Sequence, residues 1–111
     1  MFGKGGMNLG NLKKMAEDMQ TKMAKVQEEL KERVVEGSAG GGAVTAFVNG
    51  TQEVVGIKIN PDVVKPEDAE MLADMVMAAV NQGLQKSREL SQSEMGKVTG
   101  GLGGLGGLPG F

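Results

Sequence analysis

Six basic residues near the two ends of the chain have the clearest chemical potential in this sequence. A cationic side chain binds a phosphate oxygen, and several together hold a nucleic-acid backbone with an affinity that falls as salt rises. The residues predicted to do this are Lys4, Lys13, Lys14, Lys86, Arg88 and Lys97. Only one of them is an arginine, and the chain has no tryptophan or tyrosine. We therefore expect contacts to duplex phosphates rather than base reading or stacking on single strands.

Charge is unevenly distributed along the 111 residues, although the formal total is only −2. Residues 1–25 hold five basic and two acidic residues, a net charge of +3. Residues 26–74 hold four basic and ten acidic residues, a net charge of −6, and residues 75–111 return to +1. A polyanion is one candidate partner for these two basic ends. The alternative, that these lysines simply keep a helix face solvated, stays open at this point.

The side chains that most enzymes use are missing. The chain has no cysteine and no histidine, which removes Ser–His and Cys–His pairs, disulfides and the usual zinc and haem ligands. Carboxylates cluster at Glu67, Asp68, Glu70 and Asp74, but acidic residues in a first helical turn are ordinary partners of the helix dipole. The composition predicts a binding or structural protein without enzymatic activity, cofactor, metal or small-molecule substrate.

Two helices are predicted to position the basic residues. The first begins near Leu9, with Asn8 as its cap, and is about 24 residues long. Its apolar residues repeat in steps of three and four, at Leu9, Leu12, Ala16, Met19, Met23, Val26 and Leu30. This heptad seam is typical of a helix that packs on another helix, either in the same chain or in a second one. The second helix is predicted from Pro66 to about Lys97.

Three short strands are predicted between the helices, over residues 34–39, 43–48 and about 51–59. Asn49-Gly50 is typical of a two-residue type I′ turn, which would pair Val48 with Thr51. In that register one sheet face is strongly apolar and the other is partly so. The residues predicted to form the core or a dimer contact are Val44, Phe47, Val48, Val55, Ile57 and Ile59.

The element order predicts an α+β fold of helix, three-stranded antiparallel meander and long helix. Helices of about 36 and 48 Å are longer than strands of roughly 20 Å can cover. Parts of the helices must therefore project or pair, and we expect an intertwined homodimer with projecting helical arms. If the two helices pack antiparallel, Lys13 and Lys14 meet the basic residues of the second helix at one tip.

Glycine-rich ends suggest the domain organisation. Residues 1–8 are predicted to be a flexible arm, residues 9–97 a single dimerising and DNA-binding α+β domain, and residues 98–111 a flexible Gly/Leu-rich tail. A G-x-G-x-x-G match in that tail neither follows a strand nor opens a helix, as a dinucleotide site requires. The start lacks the apolar core of a signal peptide, and no stretch is long enough to span a membrane. We expect a cytoplasmic protein with no membrane partner.

The sequence resembles the bacterial YbaB/EbfC family of nucleoid-associated proteins over essentially its whole length. The resemblance rests on residues 1–12, the methionine-rich first helix, Val48-Asn49-Gly50, Ile57-Lys58-Ile59-Asn60-Pro61, Glu70-Met71-Leu72-Ala73-Asp74 and Leu108-Pro109-Gly110-Phe111. It implies a homodimer whose sheets join centrally while helical arms project like tweezers. It also implies a nucleoid protein that binds double-stranded DNA with weak sequence preference and influences nucleoid organisation and gene expression.

A second function remains as an alternative to DNA binding. The methionines of the first helix and the leucines of the tail are also typical of a dimeric adaptor or chaperone-like module that binds other proteins. Partners that disappear from a pull-down after nuclease treatment would favour DNA binding over this alternative.

Overall fold

The computed structural model describes residues 9–100, with side chains up to residue 98. The elements are helix α1 (Leu9–Glu32), strands β1 (Val34–Ala39), β2 (Val44–Asn49) and β3 (Val54–Ile59), and helix α2 (Ala69–Gly100). The strands form one antiparallel sheet in the order β1-β2-β3. The predicted α+β fold of helix, three-stranded antiparallel sheet and long helix is therefore confirmed. The predicted arm over residues 1–8 and residues 101–111 of the predicted tail lie outside the described residues.

The apolar seam of α1 is buried at only one end. Leu30 is 1% exposed, whereas Met23 is 37%, Leu12 is 41% and Leu9 is 82% exposed. Helix α1 is therefore anchored at its C-terminal end, and the rest of it projects from the sheet. The molecule is correspondingly elongated, with principal extents of 76 × 28 × 16 Å.

Helix α2 covers one face of the sheet over β1 and β2. The core consists of Val44, Ala46 and Ala79, with Leu72, Val76 and Ile59 among the half-buried side chains around it. The approach is close because a Cβ on Gly37 would collide with the backbone of Ala79 and Gly83. Glycine at position 37 is what lets the helix backbone lie directly on β1.

The predicted register between β2 and β3 is wrong. Val48 pairs with Val54 rather than with Thr51, and Val44 pairs with Ile59, which leaves Val55 as an extra residue in a β-bulge. The turn has three residues rather than two: Asn49 N–H donates to Glu53 O at 2.9 Å, and the left-handed residue is Gln52, with φ of 63°. Three-residue hairpin loops of this kind combine a tight turn with one left-handed residue.

The same contacts explain why Asn49-Gly50 was misleading. Gly50 does not have the positive φ that a type I′ turn requires. A Cβ there would lie 2.7 Å from the carbonyl oxygen of Leu30. The glycine is needed for the approach of α1, and not for the turn conformation.

Helix α2 is shifted by three residues from its predicted bounds. Pro66–Asp68 form a short 3-10 turn, and the α-helix begins after it at Ala69. At the other end it continues to Gly100, past the predicted end near Lys97.

Candidate nucleic-acid interface

A buried hydrogen-bond cluster joins α2 to the β2–β3 turn at the base of both helices. The hydroxyl of Ser87, which is fully buried, donates to Asn49 O at 2.5 Å. Ser87 Oγ also accepts hydrogen bonds from Gln52 N at 3.1 Å and from Gln52 Nε2 at 3.0 Å. Because Ser87 makes these bonds with a single side chain, it fixes where α2 crosses the turn.

The last turn of α1 is attached to the same β2–β3 turn. Gly50 N–H donates to Leu30 O at 2.8 Å, and Arg33 N–H donates to that oxygen at 3.2 Å. The final carbonyl groups of a helix have no hydrogen-bond donor within the helix, so these two bonds satisfy a carbonyl that would otherwise have no partner. The turn therefore positions both the start of the α1 projection and the crossing point of α2.

Beyond the sheet, Glu94 of α2 joins two cationic side chains. Its Oε2 lies 2.9 Å from Lys97 Nζ and 3.4 Å from an Arg33 guanidinium nitrogen. The hydrogen bond from Lys97, with the positive charges of Lys97 and Arg33, lowers the pKa of Glu94 below its ordinary value. Within residues 9–100, the pairs of Glu94 with Lys97 and with Arg33 are the two ion pairs whose nitrogen and oxygen atoms lie within 4.0 Å. Arg33 is thus held by α2, and not by Glu29 one turn earlier on α1.

The contacts show the relative direction of the helices. Along α2, Gly83 meets Gly37 of β1, Ser87 meets the β2–β3 turn, and Glu94 meets Arg33 just after α1. Helix α2 therefore runs outward from the sheet beside α1, in the opposite chain direction.

The basic residues predicted on α1 lie on the exposed projecting part. Lys13 and Lys14 are both exposed, close to Leu9, where the description of α1 begins. Lys14 is 19 residues before Arg33, which corresponds to about 28 Å along the helix. Lys4 falls outside the described residues.

The basic residues predicted on α2 lie on its second half. Lys86 and Arg88 are exposed, and Lys97 is exposed while bonded to Glu94. Along α2, Lys86 lies about 12 Å from Glu94 in the direction of the sheet. Along α1, Lys14 lies on the other side of the Arg33–Glu94 ion pair, away from the sheet. The single basic tip expected from the sequence is therefore not formed within one chain, because the C-terminal end of α1, rather than its start, meets α2.

Two further lysines on the projecting part were not among the predicted site residues. Lys22 and Lys25 are exposed on α1, and Lys25 is 11 residues after Lys14. Eleven residues are close to three helical turns, so Lys14 and Lys25 lie on the same side about 16 Å apart. The excess of lysine over residues 1–25 was the sequence signal for them. Arg33 was missed because only the folded chain places it beside α2.

The predicted core or dimer residues fall into two groups. Val44 and Val48 are fully buried under α2, Ile59 is half-buried beside them, and Phe47 is half-buried on the opposite sheet face. Val55 and Ile57, by contrast, are 56% and 44% exposed on β3. An exposed apolar edge strand of this kind is a candidate surface for contact with another molecule.

Among the described residues, no group of three carboxylates is placed to hold a metal ion. No helix within residues 9–100 combines the length and the apolar character that crossing a bilayer requires.

Comparison with known proteins decides the family. Residues 4–102 match the model of the YbaB/EbfC DNA-binding family. The chain belongs to the YbaB/EbfC family. It is 53% identical over 98 residues to a nucleoid-associated protein of Thermoanaerobacter pseudethanolicus, covering 88% of each chain. It is 54% identical over 101 residues to a nucleoid-associated protein of Acetivibrio thermocellus, covering 91% of this chain and 88% of the relative.

The fold also occurs in a solved structure. The crystal structure of an uncharacterised protein from Helicobacter pylori superposes with a TM-score of 0.76, covering 85% of this chain and 99% of that one. The two sequences are 24% identical, so this likeness concerns the fold alone. The YbaB/EbfC family is a family of DNA-binding proteins rather than of enzymes.

Proposed function

We propose that this protein binds double-stranded DNA as a homodimer, through phosphate contacts from basic helix residues and with weak sequence preference. Membership of the YbaB/EbfC DNA-binding family is the observation that carries the proposal. The names of the bacterial relatives, which are nucleoid-associated proteins, support extending the proposal to the nucleoid. The proposed consequence of this binding is an effect on nucleoid organisation and gene expression.

The projecting part of α1 supplies the main phosphate contacts. Residues 9–25 hold four lysines against Glu17 and Asp18, and all four lysines are exposed. Lysines contact phosphates as flexible point charges, which favours binding to any sequence over reading of particular bases. Lys86, Arg88 and Lys97 add a second cationic region on α2, nearer the sheet.

The homodimer is supported by the apolar surface of β3. Val54, Val55 and Ile57 are each more than two-fifths exposed, on a strand that lies at the sheet edge. Gln82 of α2 accepts from the Ser38 amide of β1, so the opposite flank of α2, with Met77 and Val80, lies toward β3. This flank and β3 together form the surface where a second copy packs.

The deciding experiment is duplex binding against salt. Fluorescence anisotropy is measured with a labelled duplex of about 25 base pairs, between 50 and 300 mM salt, on protein whose mass in solution is known. We expect the logarithm of the affinity to fall linearly with the logarithm of salt concentration. A duplex of scrambled sequence should bind within about threefold, since phosphate contacts carry no sequence information.

A matched pair of variants locates the contacts. Lys13→Ala/Lys14→Ala should weaken DNA binding. It should also make the slope of log affinity against log salt concentration shallower by about 2, because each lost phosphate contact contributes roughly 0.9. Lys58→Ala/Lys65→Ala removes the same charge from the sheet and the following loop, and should leave the slope unchanged. Equal losses in both variants, or an affinity independent of salt, contradict the proposed contacts.

A further inference from the structure

Helix α1 presents an apolar stripe that is exposed over most of its length; within the described residues only Met19 of this stripe is half-buried. We call this stripe the outer seam; it consists of Leu9, Leu12, Met15, Ala16, Met19 and Met23. Leu9 is 82%, Met15 58% and Leu12 41% exposed. A contiguous apolar surface of this kind normally has an occupant. The outer seam is separate from the apolar surface of β3, which lies on the other side of the buried anchor at Leu30.

The end of α2 lies beside the inner end of this seam. Val26, Leu30, Arg33 and Glu94 line one cleft between the two helices. Gly100 is six residues beyond Glu94, about 9 Å further along a helix that runs outward beside α1. Counting back the same distance along α1 from the cleft reaches Met23. Gly100, the last described residue, therefore lies beside Met23 at the inner end of the outer seam.

The sequence of residues 101–111 has the apolar period that this seam requires. Leu102, Leu105, Leu108 and Phe111 occur at every third position, with glycine at most positions between them. In a polyproline II conformation every third side chain lies on the same face, about 9 Å from the next. Leu102 to Leu108 then spans about 19 Å, against about 21 Å from Met23 to Leu9 on the helix.

We propose that residues 101–111 dock along the outer seam of α1 in the same chain, with their leucines against its methionine and leucine side chains. Glycines between the leucines let the segment lie close to the helix, because they add no side chains to the contact. A tethered segment also has a high effective concentration, which favours it over a second copy in solution. The docked segment shields the seam from other apolar surfaces, whether or not α1 binds DNA.

Disulfide trapping tests this docking directly, since the chain has no cysteine of its own. The test variant is Met15→Cys/Leu105→Cys in the full chain. The control is Thr21→Cys/Leu105→Cys, because Thr21 is exposed on the opposite side of α1. After brief oxidation with diamide, we expect roughly tenfold more intrachain disulfide in the test variant than in the control. The reason is that two or three docked leucines would hold residue 105 close to residue 15 for most of the time. Equal yields in both variants, or a disulfide only between chains, overturn the proposal.

Methionine oxidation gives a second readout that needs no new cysteine. Dilute peroxide oxidises Met15 and Met23 according to their exposure, and peptide mass spectrometry measures each rate. Leu102→Ser/Leu105→Ser/Leu108→Ser should raise both rates several-fold, whereas Gly101→Ser/Gly104→Ser/Gly107→Ser should raise them much less. Rates that do not change in the leucine variant also overturn the docking. Neither readout involves DNA, so failure here is distinct from failure of the proposed function.

Discussion

The amide of Gly50 lies 2.8 Å from the carbonyl oxygen of Leu30, and the Leu30 side chain is packed against the same glycine. One contact therefore joins the β2–β3 turn to the end of α1, at the only fully buried residue that this helix has among the described residues. The projection of α1 depends on this contact.

Replacing Gly50 by alanine should destabilise the protein. Its Cβ would lie 2.7 Å from Leu30 O and 2.8 Å from Leu30 Cδ2, so α1 must shift. We expect a loss of about 1–3 kcal/mol in the free energy of unfolding, as for other overpacked sites. Urea denaturation followed by circular dichroism measures it. Gly96→Ala is the control, because nothing lies within 4 Å of a Cβ there and alanine is the better helix former. A Gly50→Ala variant as stable as Gly96→Ala would contradict the importance of this contact.

Ser87→Ala should also destabilise the fold, through lost hydrogen bonds. The change leaves the Gln52 amide and the Asn49 carbonyl without their buried partner. The expected loss is about 1–3 kcal/mol. Ser93→Ala removes an exposed hydroxyl from the same helix and should change stability by less than about 0.5 kcal/mol. Thermal unfolding of the two variants side by side makes the comparison.

Glu94→Gln should strengthen DNA binding if the proposed function is right. Glu94 now partly neutralises Arg33 and Lys97, and removing its charge makes both available to phosphates. We expect higher affinity and a salt slope steeper by about 1. Glu89→Gln changes the net charge equally, but Glu89 is bonded to the amide of Gln85 rather than to a cation. Identical gains in the two variants would indicate a general charge effect instead.

Ile57→Asp should dissociate the proposed homodimer. The residue is 44% exposed on β3, where a second copy would bury it. A buried unpaired carboxylate is costly, so sedimentation should show a shift toward monomer. Thr21→Asp places the same charge on exposed α1 and should leave the mass in solution unchanged. A monomeric parent protein would itself exclude the homodimer.

The Glu53 carboxylate should make the β2–β3 turn sensitive to acid. Hydrogen bonds from Asn49 Nδ2 at 2.9 Å and Thr51 Oγ1 at 3.2 Å lower its pKa in the folded protein. A lowered folded pKa means that the stabilisation is complete above the unfolded pKa and is lost as the pH falls through the folded value. The stability difference between the parent protein and Glu53→Gln should therefore be largest at neutral pH and disappear in acid. An NMR titration in which Glu53 titrates above ordinary glutamates would contradict this.

Local patterns in the sequence were sufficient for the elements, and contacts between distant residues decided the rest. The heptad steps predict a helix over the residues that form α1, and β1 has its predicted bounds of 34–39. The register between β2 and β3 was missed because Gly50 serves the contact with Leu30. A glycine needed for close approach has the same one-letter signal as a glycine needed for a turn.

The candidate site was less accessible from the sequence than the fold. Clustering of lysine predicted which residues are exposed and cationic, and the structure places Lys13, Lys14, Lys86 and Arg88 on the surface. Their mutual distances depend on which end of α1 meets α2. Arg33 and Glu94 decide that, and they are 61 positions apart in the chain.

Because α1 is buried at one end only, a small rotation at that end produces a large displacement at the other. Its support is at Leu30, and Leu9 lies 21 residues away, at the end of about 31 Å of helix. A rotation of only 10° about the support would displace Leu9 by about 5 Å, more than the roughly 3.4 Å rise between successive phosphates of one strand. Small adjustments in the packing between Leu30 and Gly50 are therefore magnified at the lysines. Under the proposed function, the lysines of α1 can in this way reach the phosphates of duplexes that differ in bend and groove width.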